Sequence, residues 1–236
     1  MDASDNRMAA FEQRLKHFYE LRATEEPETD PEAALRFSKA ISAADVRPGE
    51  RILDVGAKRG ALASSINDAN LAVDYTGFDV SEANVAIATK AGLNFVQGDV
   101  AQQLPFDDVS FDAVFCLELL EHVMMPVTLL SEIRRVLKDD GRAVVSVPSP
   151  YSWVEVAREV LRRSDPEGHI NCFTTPVMQN VAALTGFRIE RRMGTSIRIP
   201  KTLKLISTDS ILARSRIYLL RPAEVVVFAG RSTRWA

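Results

Sequence analysis

The stretch Arg51-Ile-Leu-Asp-Val-Gly-Ala-Lys-Arg-Gly60 decides which fold this chain is expected to adopt. A short apolar run surrounds an acidic residue, Asp54, and opens into a turn that contains Gly56 and Gly60. In an open α/β sheet this arrangement lets the backbone approach a nucleoside-like ligand, which binds outside the carboxyl ends of the strands. Glycines at this spacing also occur in ordinary turns, so the elements that follow must support the assignment.

Strand and helix patterns alternate on both sides of this stretch. The predicted strands are short apolar runs bounded by turn residues, at 51–55, 73–79, 94–96, 111–116, 142–147, 187–193 and 224–229. The predicted helices repeat apolar residues every three or four positions, at 6–22, 31–44, 61–68, 81–91, 127–137, 153–163 and 176–184. Gly141 is expected to end the helix before the fifth strand. The alternation predicts an α/β fold, a Rossmann-like doubly wound and mainly parallel seven-stranded sheet.

Two regions lie outside this regular pattern. Residues 1–47 are predicted to form an N-terminal helical cap over the sheet, and 48–236 the Rossmann-like domain. Near 195–222 the connection is unusually long and mixes Ile and Leu with Arg and Lys. It is interpreted as an insertion that serves as a lid, a dimer contact or a membrane-surface helix. The alternative is a buried helix whose cationic side chains reach the solvent.

Composition narrows the class of protein. Hydrophobic residues make up 46% and charged residues 26% of the chain, which is ordinary for a soluble globular protein. No apolar run reaches the roughly 18 residues of a membrane span, and the polar, acidic start does not resemble a secretory signal. Cys116 and Cys172 cannot form a disulfide framework and show no metal-type pairing. A cytoplasmic location is therefore expected.

The charges are unevenly distributed along the chain. From residue 188 onward, eleven Arg or Lys residues face only Glu190, Asp209 and Glu224. Such a segment can serve phosphate groups, a membrane surface or nucleic acid, and its alternative is a solvated face with local ion pairs. The sequence pI of about 5.7 argues against a dedicated nucleic-acid binder. Contact with a membrane surface stays open, and the oligomeric state is not indicated.

Seven short motifs occur in the order and near the spacing of a known family. They are Ile52-Leu-Asp-Val-Gly56, Gly77-Phe-Asp-Val80, Gly98-Asp99, Leu104-Pro-Phe106, Ser110-Phe-Asp-Ala-Val114, Glu121-His-Val123 and Val136-Leu-Lys-Asp-Asp-Gly141. With them the chain resembles the class I S-adenosylmethionine-dependent methyltransferases. The resemblance is to the small-molecule group that includes the ubiquinone-biosynthesis O-methyltransferases, and it covers roughly residues 45–190.

The resemblance implies a set of cofactor-binding residues. Asp54, Gly56 and Gly60 would form the turn under the methionine part of S-adenosylmethionine. Asp79 would accept hydrogen bonds from the ribose hydroxyls, and Asp99 would receive the adenine amino group. Beside the methionine moiety, the pocket would be lined by Cys116 and Leu117. For Asp54 and Asp99 the alternative is a turn-capping aspartate.

The sequence departs from the family at the middle glycine of the first loop. Lys58 stands there, followed by Arg59, where the family commonly has Gly-x-Gly-x-Gly. Two cations at the mouth of the site would either tighten binding of the cofactor carboxylate or hinder binding.

A metal site is the sharpest catalytic hypothesis. If Glu118 starts a helical turn, then Glu118, Glu121 and His122 lie on one face and suit a divalent metal such as Mg²⁺. With His169 these residues resemble the metal site of the ubiquinone-pathway O-methyltransferases and of the small-RNA 3′-terminal 2′-O-methyltransferases. There the metal holds substrate oxygens and lowers the pKa of the attacked hydroxyl. In the alternative His122 packs to hold a loop, and His122 or His169 acts as the general base.

The sequence therefore predicts a methyltransferase that uses S-adenosylmethionine and acts on a small-molecule acceptor at a hydroxyl oxygen. Tyr151 and Trp153 would offer a flat apolar surface to an aromatic or lipid-like acceptor, or would belong to the core or an interface. One alternative is an RNA 3′-end 2′-O-methyltransferase. Another is a non-catalytic protein of the same fold, prompted by Lys58 and Arg59.

Overall fold

A computed structural model of the chain describes residues 31–165, 167–198, 205–210, 212–223, 225–228 and 231–234, together with 9–11, 13, 14, 16 and 17. The strands in chain order are β1 (Arg51–Val55), β2 (Asp74–Asp79), β3 (Phe95–Gln97), β4 (Phe111–Leu117), β5 (Leu137–Pro148), β6 (Phe187–Gly194), β7 (Ser196–Arg198), β8 (Leu205–Ser207), β9 (Ser215–Pro222), β10 (Val225–Phe228) and β11 (Arg231–Arg234). The helices are α1 (Pro31–Ala44), α2 (Ala61–Asp68), α3 (Glu82–Lys90), α4 (Pro126–Val136), α5 (Trp153–Val160) and α6 (Thr175–Leu184). A single 3₁₀ turn covers Leu120–His122.

Seven of these strands form one sheet, in the order β3-β2-β1-β4-β5-β9-β6. The first five strands in that order pair in parallel, whereas β9 runs antiparallel between β5 and β6. This confirms the prediction of a mainly parallel, seven-stranded Rossmann-like sheet. Because the parallel strands all end at the same edge, the loops after β1, β2, β3 and β4 meet there.

Apolar side chains of the central strands alternate between two cores. Leu53 and Val55 face one core, which α4 and α6 cover, whereas Ile52 faces the other, which α1 and α2 cover. In β4 nearly every residue is buried, as expected of a parallel strand with helices on both faces. Each fully buried Leu, Ile or Phe contributes roughly 1.5–3 kcal/mol. These two layers hold the strand ends that carry the candidate site.

The prediction for the last strand was wrong. The seventh strand of the sheet is β9, whereas most of the predicted strand 224–229 forms β10, which pairs with β11 in a separate two-stranded sheet. The described part of the long connection 195–222 forms β7, β8 and β9 and contains no helix. Tyr218 and Leu220 of β9 are buried in the sheet. The mixture of Ile and Leu with Arg and Lys in this segment also fits a membrane-surface helix or a buried helix, so composition does not identify the strand.

Smaller differences concern element boundaries. Gly141 lies inside β5 rather than at a helix end, because the strand starts directly after α4. Strand β3 lies one residue later than predicted, and α5 ends at Val160 rather than at residue 163. The described residues between 9 and 17 are helical, and the rest of the predicted helix 6–22 lies outside the described residues. No described helix has the length and apolar character needed to cross a membrane.

Candidate functional site

The loop after β1 is a tight turn attached to β2. The backbone N–H groups of Gly56 and Ala57 both donate to the carbonyl of Phe78, at 2.8 and 3.1 Å. Gly56 has φ 77°, and a Cβ there would lie 3.0 Å from the side chain of Leu119. Gly60 has φ 83° and starts α2, so a side chain at either glycine would strain the backbone. The turn is therefore built where the resemblance places the methionine part of the cofactor.

Lys58 adopts the conformation that explains why the family uses glycine at this position. Its φ is 49°, in the left-handed region that costs a residue with a Cβ on the order of 1 kcal/mol or more. In that conformation its backbone N–H donates to Asp79 Oδ2 at 2.8 Å. The departure from the glycine pattern is thus accommodated without opening the loop.

Asp79 ends β2 and is 7% exposed. Besides Lys58, its carboxylate accepts the backbone N–H of Ser81 at 2.9 Å and the side-chain amide of Asn84 at 3.4 Å. Burial raises the pKa of this carboxyl, while these hydrogen bonds and the charge of Lys58 oppose the rise. Ser81 also caps α3 as predicted, accepting from the N–H of Asn84. Asp79 is rigidly held at the strand end where a ribose would bind.

Asp54 lies on the neighbouring strand β1 and is 4% exposed. The hydroxyl of Tyr75 donates a hydrogen bond to its Oδ2 at 2.7 Å. Burial raises the pKa of the Asp54 carboxyl to about 7; the Tyr75 hydroxyl opposes this rise and the charge of Asp79 adds to it. This places a buried, partly ionised carboxylate beside the turn after β1.

The remaining predicted cofactor residues are Asp99, Cys116 and Leu117, and their contacts within the protein do not indicate a ligand. Asp99 Oδ1 accepts the N–H of Ala101 at 2.9 Å, so this side chain caps its own turn, and a contact with adenine stays a prediction. Cys116 and Leu117 are buried at the end of β4, and burial raises the pKa of the Cys116 thiol well above its usual range. The thiol is therefore neutral, in line with its interpretation as a small apolar residue.

Three of the four predicted metal ligands come together after β4. Glu121, His122 and His169 each offer one ligand atom, and these atoms lie within 4.8 Å of one another. The two imidazole rings have centroids 4.8 Å apart. Glu121 is 1% exposed, and among the described residues neither of its carboxylate oxygens has a hydrogen-bond partner. Burial raises the pKa of Glu121 well above its usual range, and the charge of Glu118 adds to the rise. A cation in this group would compensate the buried carboxylate.

Glu118 does not join this group, which corrects the prediction. It has φ 52° and precedes the 3₁₀ turn, so it does not start a helical turn with the other ligands. Its carboxylate accepts hydrogen bonds from the hydroxyls of Ser146 and Ser215, at 2.8 and 2.9 Å. Its Oε2 also lies 3.8 Å from Nη1 of Arg36. The positive φ turns the side chain toward β5 and β9, a change in direction that spacing alone cannot indicate.

Two acidic residues that the sequence reasoning missed surround His169. Its Nδ1 lies 2.7 Å from Asp165 Oδ2, and its Nε2 lies 3.4 Å from Glu167 Oε2. Burial lowers the pKa of His169, but these carboxylates outweigh burial and the pKa is raised. The hydrogen bond with His169 holds the pKa of Glu167 at about 2, against burial and with the help of Arg214. The segment Asp165-Pro-Glu-Gly-His169 offered this signal, because its acidic residues stand two and four positions before the histidine.

A clamp holds the loop of His169 against the 3₁₀ turn. The backbone N–H groups of Ile170 and Asn171 both donate to the carbonyl of Glu121, at 2.9 and 3.0 Å. The side-chain amide of Asn171 donates to the carbonyls of Val123 and Leu120, at 2.6 and 3.3 Å. Two segments far apart in the sequence are thus joined by four hydrogen bonds, which brings His169 to His122.

Helix α1 closes the site from the side of the sheet that carries α2. Arg36 reaches Glu118, and Glu32 Oε2 lies 2.9 Å from Nε of Arg214, which also binds Glu167 at 3.1 Å. Arg36 Nε is buried and has no hydrogen-bond partner among the described residues. The sequence carried a signal for Arg36, since it shares a helix face with Ala40 and Ala43, both buried. In this structure the guanidinium of Arg36, on that apolar helix face, lies near the acidic side chain of Glu118.

Comparison with known proteins supports the fold and the domain. Residues 53–145 match the family described as "Methyltransferase domain". The chain is similar in fold to a putative methyltransferase from Bacillus halodurans, with a TM-score of 0.62 and 19% identity over 79% of this chain and 98% of that one. At that identity the likeness concerns the fold.

Two relatives are similar in sequence as well. Over 130 residues the chain is 33% identical to the ubiquinone biosynthesis O-methyltransferase of Alkalilimnicola ehrlichii, covering 51% of this chain and 52% of that protein. Over 115 residues it is 42% identical to the demethylmenaquinone methyltransferase of Beutenbergia cavernae, covering 48% and 47% of the two chains. The chain thus spans about half the length of the curated relatives it matches.

Proposed function

We propose that this chain is a class I S-adenosylmethionine-dependent methyltransferase that methylates a hydroxyl of a small quinone-type acceptor; its methyltransferase domain and its similarity to two quinone-pathway methyltransferases support the proposal. The observation that carries the proposal is the group of Glu121, His122 and His169 at the same sheet edge as Asp54 and Asp79. A site that alkylates oxygen must bind the cofactor and also remove a proton from the acceptor.

The cofactor half of the site is supported by the strand ends. S-adenosylmethionine, when bound, supplies an electrophilic methyl group. Asp79 would accept the ribose hydroxyls, since a carboxylate oxygen that already takes one N–H can accept another donor. Asp54 and the turn of Gly56 and Gly60 would hold the amino-acid end. The buried nitrogen of Arg36 would add a donor for an anionic group at the same mouth.

The acceptor half is supported by the two imidazoles. In the site without a metal, His122 or His169 would take the hydroxyl proton as the acceptor oxygen bonds to the methyl group, with Asp165 orienting the His169 ring through its Nδ1. The unsatisfied buried carboxylate of Glu121 supports instead a divalent cation held by Glu121, His122 and His169. Both rings would then be ligands, and the cation would lower the pKa of the acceptor hydroxyl. One carboxylate with two imidazoles suits Zn²⁺ or Mn²⁺ better than Mg²⁺, which prefers oxygen ligands.

An open groove along α5 supports an acceptor with an apolar part. It has a volume of about 510 Å³, runs along α5 and is lined by Val154, Ala157 and Leu161, with Arg158 at its side. Arg158 lies 3.8 Å from Asp165, the carboxylate that binds His169. Tyr151 and Trp153 are about two-fifths exposed at the start of α5. An ion pair of Arg158 thus links the groove to the carboxylate that orients His169.

The reaction is tested with acceptors that differ in the attacked atom. We expect release of S-adenosylhomocysteine with a 4-alkylcatechol and formation of its mono-O-methyl ether, measured by mass spectrometry. The same catechol without the alkyl chain should react with a higher KM, because it does not fill the groove. A product methylated at carbon or nitrogen, or an amine acceptor preferred over the catechol, would overturn the hydroxyl target.

The metal is tested by thermal shift. We expect Zn²⁺ or Mn²⁺ to raise the Tm of the wild-type chain by several degrees, consistent with binding to the folded state alone. Glu121→Gln should abolish that increase. Glu118→Gln is the matched control and should keep it, because Glu118 is bound to Ser146 and Ser215. Equal increases in Glu121→Gln and in the wild type would exclude this metal site.

A further inference from the structure

Tyr75 is the one neutral donor that contacts the buried carboxylate of Asp54 among the described residues. It lies on β2, four positions before Asp79, so both side chains leave the strand on the same face. Its hydroxyl donates to Asp54 Oδ2 at 2.7 Å. Its ring is 6.2 Å from the ring of Phe95 on β3, and the side chain is largely buried. The hydroxyl is therefore held in place rather than free to rotate into solvent.

Within the described residues, the charged groups around Asp54 include no cation paired with its carboxylate. Asp79 of β2 is acidic and acts unfavourably on the Asp54 carboxylate, and the Cys116 thiol of β4 is neutral. Lys58 in the turn acts on Asp79. No described Lys, Arg or His forms an ion pair with Asp54 in the part of the chain that the structure describes. A buried carboxylate in such surroundings is stabilised by a ligand that brings a positive charge.

We propose that Tyr75 is a positioning residue that holds Asp54 as a hydrogen-bonded carboxylate for the α-ammonium group of the cofactor. The inference rests on the cofactor site proposed above. A phenol O–H donates to the ionised carboxylate and favours that form, which is the form that attracts an ammonium group. Tyr75 itself does not contact the ligand in this account. The Tyr75 hydroxyl sets the fraction of Asp54 that is ionised at neutral pH, and the ionised form is the one that binds the ammonium group.

Removal of the hydroxyl should change the pH dependence of cofactor affinity. With the hydroxyl present the Asp54 carboxyl has a pKa of about 7, so close to half is ionised at pH 7. Without it the carboxyl ionises only at higher pH, because a donor to the charged form is lost. A hydrogen bond to a charged group corresponds to a factor of roughly ten in equilibrium. The loss of affinity should therefore approach tenfold at pH 6 and should shrink as the pH rises through 7 and 8.

The experiment is calorimetry on the full chain at pH 6, 7, 8 and 9, with two ligands. S-adenosylhomocysteine carries the amino-acid end, whereas 5′-methylthioadenosine lacks it. In Tyr75→Phe we expect S-adenosylhomocysteine affinity to fall almost tenfold at pH 6, about fivefold at pH 7 and less than threefold at pH 9. Affinity for 5′-methylthioadenosine should not change. Tyr218→Phe is the matched control, a buried tyrosine of β9, and should leave both affinities unchanged.

A second variant, Asp54→Asn, tests the same idea if Tyr75→Phe fails to fold. Asp54→Asn cannot ionise, so its weak binding of S-adenosylhomocysteine should not vary between pH 6 and pH 8 beyond the variation seen with 5′-methylthioadenosine. A Tyr75→Phe loss that is equal at every pH and shared by both ligands would overturn the proposal, since it would mark a structural role. Wild-type binding with no effect of Tyr75→Phe would overturn it as well. Failure of the wild type to bind either ligand would overturn the cofactor site together with this inference.

Discussion

At the scale of single residues, burial raises the pKa of both acidic side chains at the ends of β1 and β2. Asp54 and Asp79 stand in neighbouring strands, and both carboxyls have a raised pKa because little solvent reaches them. Hydrogen bonds offset part of that cost in each case, from Tyr75 for Asp54 and from backbone N–H groups for Asp79. Ionising these two buried carboxyls is therefore unfavourable, and a cationic ligand would stabilise the ionised forms.

The raised pKa of Asp54 predicts how stability depends on pH. A carboxyl whose folded-state pKa lies above its unfolded value contributes stability that is complete below the unfolded pKa and is lost progressively as the pH rises to about 7. We expect Asp54→Asn to gain stability relative to the wild type between pH 4 and pH 7, by at most about 1.4 kcal/mol for each pH unit. Urea unfolding at several pH values measures the difference. A constant difference across that range would contradict the raised pKa.

At the scale of elements, a clamp of hydrogen bonds joins two loops of the candidate site. The loop that carries His169 is attached to the 3₁₀ turn of Glu121 and His122 through Asn171 and two backbone N–H groups. This attachment determines how the two histidines meet, since they stand 47 residues apart in the sequence.

Asn171→Ala is predicted to release this clamp. Loss of two hydrogen bonds to carbonyls should lower methyl transfer about tenfold or more, because His169 loses its position, while cofactor affinity stays unchanged. Steady-state kinetics and calorimetry with S-adenosylhomocysteine separate the two effects. Cys172→Ala is the matched control, since the neighbouring side chain is exposed and should leave both quantities unaltered. If Asn171→Ala kept full activity, the clamp would not position His169.

On the scale of the whole molecule, the buried side chain of Arg142 connects α1 to the sheet at the edge opposite the site. Arg142 of β5 forms a salt bridge with Glu50, which precedes β1, and donates to the carbonyls of Ala44 and Asp45 at the end of α1. It also reaches the carbonyl of Asp112 on β4, at 3.2 Å. One side chain thus joins the helix that covers the site to the strands that carry it.

Breaking this pair on one side should be costly. We expect Arg142→Met to lower the free energy of unfolding by about 1–3 kcal/mol, because the partly buried Glu50 loses its charged partner and the carbonyls of Ala44 and Asp45 lose a donor. Adding Glu50→Gln should recover part of the loss, since the uncompensated charge is then removed. Chemical unfolding of both variants measures this. A double variant as unstable as Arg142→Met would indicate that the lost carbonyl contacts, rather than the charge, dominate.

The sequence by itself determined the order of strands and helices up to β6, because that order depends on local apolar periodicity. It also determined the turn after β1, which requires glycines, and the acidic residues near the ends of β1 and β2. It misplaced the seventh strand, since β9 is recognisable only by its pairing between β5 and β6. Only the tertiary structure decided that Glu118 turns to Ser146 and Ser215, that Tyr75 donates to Asp54, and that Asp165 and Glu167 surround His169. These contacts depend on side-chain direction and on segments brought together by folding, and neither is encoded in spacing along the chain.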